Sequence, residues 1–172
     1  ICKLFLNIDD PAFARAVYEL GEVAHLQFGG YYQSVWHHIF FAAPGGALFD
    51  PKANAALVCR NGRISRVNRM RLDSKLGREC NLRLASVRTT IAAKSRERGA
   101  DPHGILPYWL FAIDTLLHAT KKLSVFGKGG KSPPKVRREL KSEMNSLMKR
   151  FAALWRARNR ESEIGITLKR YR

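Results

Sequence analysis

Apolar residues recur at intervals of three and four positions along much of the chain, the spacing that is typical of one buried face of an α-helix. The cleanest such stripe lies near the C-terminus and comprises Val136, Leu140, Met144, Leu147, Phe151 and Leu154. A second stripe comprises Leu76, Cys80, Leu84, Val87 and Ile91. Strong strand signals are absent. The pattern predicts an all-α fold, a bundle of about five or six mostly antiparallel helices in a single domain over residues 1–172.

Capping signals place the first two helices. Asp10 is followed by Pro11, which suits the first helical position because its missing N–H is not needed there. The glycine pair at 29–30 predicts the end of that helix. Residues 34–43 predict a second, short helix that is apolar on nearly all sides and therefore buried. Glycines and prolines near 44–63 predict a loop region.

Two further helices are predicted in the middle of the chain. The first spans residues 65–98, with Gly77 as the position where it would break. The second begins either at Asp101, which repeats the cap-and-proline signal, or at Pro107.

The last part of the chain begins with a charged, glycine-rich turn at 127–134. The long helix that follows carries the cleanest apolar stripe, and we expect Leu147, Phe151 and Trp155 to be buried in it. Residues 165–171 predict a short terminal strand or a tail.

The charge of the chain is strongly one-sided. Lys and Arg number 31 against 14 Asp and Glu, which gives a formal net charge of +17 and a pI near 10.5. The first 59 residues carry slightly more acidic than basic residues, so the positive charge belongs to the rest. Such an excess favours contact with phosphate groups or anionic lipid. A nucleic-acid-binding or ribosome-associated protein is therefore one hypothesis, and a solvated basic face is the plain alternative.

Five arginines lie off the second apolar stripe and are expected to face solvent or a partner. These candidate anion or nucleic-acid contacts are Arg78, Arg83, Arg88, Arg96 and Arg98.

The sequence contains no complete motif that would indicate catalysis or cofactor binding. Residues 127–132 resemble a phosphate-binding loop, but the spacing fails because Val125 stands where a glycine is required. Asp9 and Asp10 are adjacent carboxylates, and the helix cap accounts for Asp10. The histidines lack metal-ligand spacing, and the three cysteines are scattered. The sequence thus predicts no catalytic residue, no metal and no cofactor.

The apolar stretches and the start of the chain give indications of where the protein is located. No stretch reaches the roughly 18 apolar residues that a membrane span needs. The chain begins at Ile1 and shows no signal-peptide pattern. We therefore expect a fragment or a processed chain, with a cytoplasmic location favoured.

One string near the C-terminus resembles a known family. Residues 154–160, Leu-Trp-Arg-Ala-Arg-Asn-Arg, resemble the C-terminal helical region of family 20 glycoside hydrolases, the β-N-acetylhexosaminidase-like bacterial enzymes. Residues 16–23, followed by the helix at 34–41, look like the first helix pair of that region.

The resemblance implies a non-catalytic helical domain that supports a catalytic (β/α)8 barrel, its expected partner. In that family an adjacent Asp-Glu pair on a barrel strand performs the chemistry, and neither pair nor barrel occurs in this sequence. No catalytic residue carries over. The alternatives that remain open are the nucleic-acid-binding protein and a plain helical interaction module.

Overall fold

The computed structural model describes residues 2–24, 40, 74–97, 99–126, 132–159 and 164–169. Within these ranges the protein is helical and contains no strand, which confirms the all-α prediction. The helices are α1 (Cys2–Leu6), α2 (Pro11–Ala24), α3 (Ser74–Lys94), α4 (Leu106–Phe126), α5 (Pro134–Arg156) and α6 (Ile164–Lys169). The loop predicted near 44–63 lies outside the described residues, as does the helix predicted at 34–43 apart from Phe40.

The start of α2 follows from the residue that precedes it. Oδ1 of Asp10 accepts hydrogen bonds from the backbone N–H groups of Ala12 and Phe13, at 2.8 and 3.3 Å. Lys94 of α3 reaches the other carboxylate oxygen at 2.7 Å. The hydrogen bond from Lys94, together with the two backbone N–H groups, holds the pKa of Asp10 below its usual value. The predicted cap is confirmed, and it also ties α2 to α3.

Neighbouring helices run antiparallel. The Asp10–Lys94 contact joins the start of α2 to the end of α3, whereas Glu19, further along α2, pairs with Arg83 in the middle of α3. Likewise, the Tyr108 hydroxyl near the start of α4 donates to the backbone oxygen of Leu154 near the end of α5, at 3.2 Å.

The core lies between α2, α3, α4 and α5. Four of the five residues of the predicted α3 stripe are buried, and Leu76 is half-buried. Burying a side chain of this size stabilises the fold by about 1.5–3 kcal/mol. Burial also raises the pKa of the Cys80 thiol, which therefore packs as a small apolar group. The buried apolar side chains of the described residues form two clusters that share the α3–α4 interface.

The start of α4 combines both of the predicted signals. The helix begins at Leu106, so Pro107 lies in its first turn, as one of the two alternatives requires. Asp101 lies five residues before the helix, with φ +55°, and accepts hydrogen bonds from the backbone N–H groups of Ile105 and Leu106, both at 2.7 Å. Asp101 therefore caps α4 through its side chain, although the helix itself starts five residues later.

Two boundary predictions were wrong. Gly77 does not break α3: it lies inside the helix and is buried, because the absence of a side chain lets α4 approach closely. Residues 164–169 form the short helix α6, where a strand or tail was expected, and its packing against α5 buries Ile164.

The burial predicted for α5 holds only in part. Leu147 is buried, but Phe151 and Trp155 are half-buried. Their rings lie 5.6 Å apart between centroids, and Phe151 contacts Phe111 of α4 in the same way at 6.0 Å. Trp155 lies at the last turn of α5, level with the start of α4, so less of the core surrounds it.

Candidate nucleic-acid interface

The structure separates the five arginines that the sequence grouped together. Arg83 forms an ion pair with Glu19 of α2. Arg88 donates two hydrogen bonds to Asp114 of α4, at 2.5 and 3.3 Å. Both contacts raise the pKa of the arginine involved, chiefly through the hydrogen bond to the carboxylate. Two of the five predicted contacts therefore hold helices together.

The other three arginines do not form a continuous surface in the described part of the chain. Arg78 lies in the first half of α3 and is exposed. Arg96 is exposed beyond the end of α3, about five turns of helix further along the chain. Arg98 lies outside the described residues.

Asp114 is the centre of a brace that joins three helices. Its side chain is 13% exposed and accepts hydrogen bonds from Arg88 of α3 and from Arg150 of α5. The Arg150 guanidinium also lies 5.8 Å from the centroid of the Phe111 ring, a cation–π arrangement. One carboxylate thus fixes the spacing of α3 and α5 on either side of α4.

A second polar cluster turns the acidic residues of α5 towards α4. Glu143 forms an ion pair with Lys121 and lies 3.2 Å from Nδ1 of His118. Glu139, one turn earlier, lies 3.9 Å from the same lysine. These are the two carboxylates of α5, so both of its negative charges approach Lys121 of α4, although Glu139 remains exposed.

The outward side of α5 is consequently basic. We call the following residues the α5 basic face: Lys135, Arg138, Lys141, Ser142, Asn145, Lys149 and Arg156. All are exposed and lie within about 120° of one another around the helix axis. Buried Ala152 interrupts the face between Lys149 and Arg156. Among the described residues, no ion pair involves Lys135, Arg138, Lys141 or Lys149.

A groove of about 310 Å³ lies beside these clusters, between α4 and α5. Its walls include Asp114, His118, Lys121, Glu143 and Arg150, the residues of the two clusters. The charged groups that line the groove are paired with one another. They therefore hold the helices together and do not present an unpaired acid or base in the groove. Among the described residues, no group of three or more His, Cys, Asp and Glu side chains could hold a metal ion.

Two buried basic groups lie at the inner end of the same region. His118 is 4% exposed, and burial lowers its pKa, although Glu143 acts in the opposite direction. Lys122 is 3% exposed and donates a hydrogen bond from Nζ to the backbone oxygen of Phe40, at 2.8 Å. Burial lowers the pKa of Lys122 to about 8.

The string that resembles family 20 glycoside hydrolases has a structural use here. The backbone and side-chain N–H groups of Asn159 donate to the backbone oxygen of Trp155, at 2.8 and 3.3 Å, and close the end of α5. Arg158 lies over the Tyr108 ring, 4.7 Å from its centroid, and donates to the backbone oxygen of His103 at 2.5 Å. These contacts tie the end of α5 to the turn before α4.

Sequence reasoning missed the α5 basic face, although a signal for it was present. Residues 135–141 contain four basic residues besides one that is acidic, and Glu139 and Glu143 both fall on one side of the helix. Recognising the face also required Lys121, the residue of α4 that both carboxylates approach. No helix of the described residues is long and apolar enough to cross a membrane. No known family, curated protein or solved structure matches this chain.

Proposed function

We propose that this protein binds nucleic acid and that the α5 basic face is the contact surface. The observation that carries the proposal is the sorting of charge on α5: both carboxylates approach Lys121 of α4, Glu139 from an exposed position, and five cations lie on the outward side. A nucleic-acid backbone carries closely spaced phosphates with condensed counterions. Cations that replace those counterions gain affinity by releasing them.

The residue types of the face favour phosphate over lipid. Its members are Lys, Arg, Ser and Asn, and the apolar side of α5 packs against α4. A helix that lies in a membrane surface needs an exposed apolar side to enter the lipid. The large apolar residues exposed in the described part of the chain, Leu4, Tyr18 and Leu82, belong to other helices.

The test is the salt dependence of DNA binding, measured by fluorescence anisotropy with a labelled duplex. One variant neutralises three cations of the face: Lys135→Gln, Arg138→Gln and Lys141→Gln. A matched control makes the same charge change elsewhere, at the exposed residues Arg15, Arg78 and Arg96. Circular dichroism verifies that both remain helical.

The proposal predicts different salt slopes for the two variants. Loss of three phosphate contacts reduces the slope of log affinity against log salt by about 2.7, because each contact contributes about 0.9. The control keeps a slope close to that of the unmodified protein. Equal losses in both variants would show that binding follows net charge alone, and no binding by the unmodified protein would refute the proposal outright.

A second candidate function is favoured by the C-terminal string. As an accessory helical domain of a family-20-like glycosidase, the chain would use these residues to fix its own last long helix, and Arg158 and Asn159 make contacts of that kind. The reading frame that encodes the chain tests this candidate. A barrel with an adjacent Asp-Glu pair in the same frame supports it, and a complete frame without such a barrel contradicts it.

A further inference from the structure

Lys121 of α4 lies beside two carboxylates of α5 that repel each other. Glu139 and Glu143 are four residues apart, so they are neighbours on one side of the helix, and like charges at this spacing destabilise it. Lys121 forms an ion pair with Glu143, and its Nζ lies 3.9 Å from a carboxylate oxygen of Glu139. One cation of α4 therefore offsets both negative charges of α5.

Glu139 also has a cation within reach on its own helix. Lys135 precedes it by four residues, which is the spacing at which lysine and glutamate form ion pairs along a helix. Among the described residues, however, the cation that Glu139 approaches is Lys121 of α4, and Lys135 forms no ion pair. The two lysines thus compete for one carboxylate, and the residue of α4 holds it.

We infer that Lys121 is a positioning residue of the nucleic-acid interface, because it holds Glu139 and so leaves Lys135 free to contact a phosphate. This inference rests on the proposed function and adds to it a residue outside the α5 basic face. Lys121 is half-buried in the groove between α4 and α5, so it acts through Glu139 and not by contact with the ligand. Without it, Glu139 would pair with Lys135 and repel the phosphate that approaches this lysine.

Replacing Lys121 tests this role without altering the face itself. In the Lys121→Met protein Glu139 is expected to pair with Lys135, and an exposed ion pair at this spacing corresponds to about a twofold change in affinity. The variant should therefore bind a labelled DNA duplex about twofold more weakly at low ionic strength, where screening is weakest. Lys121→Arg keeps the charge and should bind as tightly as the unmodified protein.

Removing the carboxylate as well distinguishes positioning from a purely structural role. Glu139→Gln, added to the Lys121→Met protein, should restore the affinity because no carboxylate remains to occupy Lys135. Glu79→Gln in its place is the matched control, since it gives the same net charge by removing an exposed carboxylate of α3, and it should restore nothing. Circular dichroism verifies that the variants remain helical, and Lys121→Gln serves in the same comparison if Lys121→Met does not fold.

Three results would overturn the inference while the protein still binds the duplex. The first is an unchanged affinity of the Lys121→Met protein. The second is a loss that Glu139→Gln does not restore, which would make the role of Lys121 structural. The third is equal recovery with Glu139→Gln and with Glu79→Gln, which would mean that affinity follows net charge alone. Absence of duplex binding by the unmodified protein would overturn the proposed function together with the inference.

Discussion

The backbone nitrogen of Ser124 lies next to the place that a side chain on Gly77 would occupy. A β-carbon on Gly77 would be 2.7 Å from that nitrogen and 3.1 Å from the carbonyl carbon of Leu123. These are backbone atoms of α4 and cannot move aside as the end of a flexible side chain would. The close approach of α3 and α4 therefore depends on glycine at this position.

Replacing Gly77 with alanine should destabilise the protein. Alanine favours the helix by about 1 kcal/mol over glycine, but overpacking a tight contact costs about 1–3 kcal/mol, so a net loss is expected. Gly21 of α2 is the matched control, because no atom lies within 4 Å of the place that its β-carbon would occupy. Gly21→Ala should be neutral or stabilising by up to about 1 kcal/mol in urea unfolding. A Gly77→Ala protein as stable as the Gly21→Ala protein would show that the helices are not in close contact.

The Asp114 brace predicts a second stability difference. Asp114→Asn removes the charge that pairs with Arg88 and Arg150, and we expect it to reduce the free energy of unfolding by about 1–3 kcal/mol. Glu79→Gln is the control, because the exposed Lys75–Glu79 contact at 3.9 Å should contribute less than about 0.5 kcal/mol. If the two substitutions lowered the free energy of unfolding in urea equally, Asp114 would not be the residue that holds α3, α4 and α5 together.

His118 predicts how stability changes at mildly acidic pH. Burial lowers its pKa in the folded protein, whereas the unfolded chain binds a proton near pH 6.5. The unfolded state therefore binds more protons below that pH, and the free energy of unfolding should fall as the pH drops from 7 to 5. His118→Gln should flatten this part of the profile, and His103→Gln, at an exposed position, should not. An equally steep fall without His118 would contradict this assignment.

The burial of Lys122 predicts how the free energy of unfolding changes at alkaline pH. Its pKa is about 8 in the folded protein and about 10.4 in an unfolded chain, so between these values the unfolded state keeps a proton that the folded state has lost. The free energy of unfolding should therefore rise with pH above about 8 relative to a Lys122→Met protein. Parallel profiles for the two proteins would mean that Lys122 titrates as if it were exposed.

The sequence identified those features that depend on local spacing. The cap at Asp10 and the apolar stripe of α3 follow from contacts within a few residues, and both were predicted correctly. The break at Gly77 was wrong because glycine in a helix has two explanations, flexibility or close packing, and only the position of Ser124 distinguishes them.

The candidate site was harder to predict because its charges are sorted by contacts between helices. Arg83 and Arg88 look free in the sequence, but Glu19 is 64 residues and Asp114 is 26 residues away along the chain. The same holds for Lys121, which lies on a different helix from the carboxylates that it holds. A helical projection shows which residues share a side, but it does not show which charges a neighbouring helix will neutralise.

Lysine footprinting on the protein with DNA duplex bound tests the central claim most directly. Brief acetylation followed by mass spectrometry reports the reactivity of each lysine with and without the duplex. The account predicts that Lys135, Lys141 and Lys149 become several-fold less reactive, while the exposed Lys3 and Lys75 react as before. Protection of Lys3 and Lys75 to the same extent, or full reactivity of all three α5 lysines in the complex, would contradict the assignment of the α5 basic face as the nucleic-acid interface.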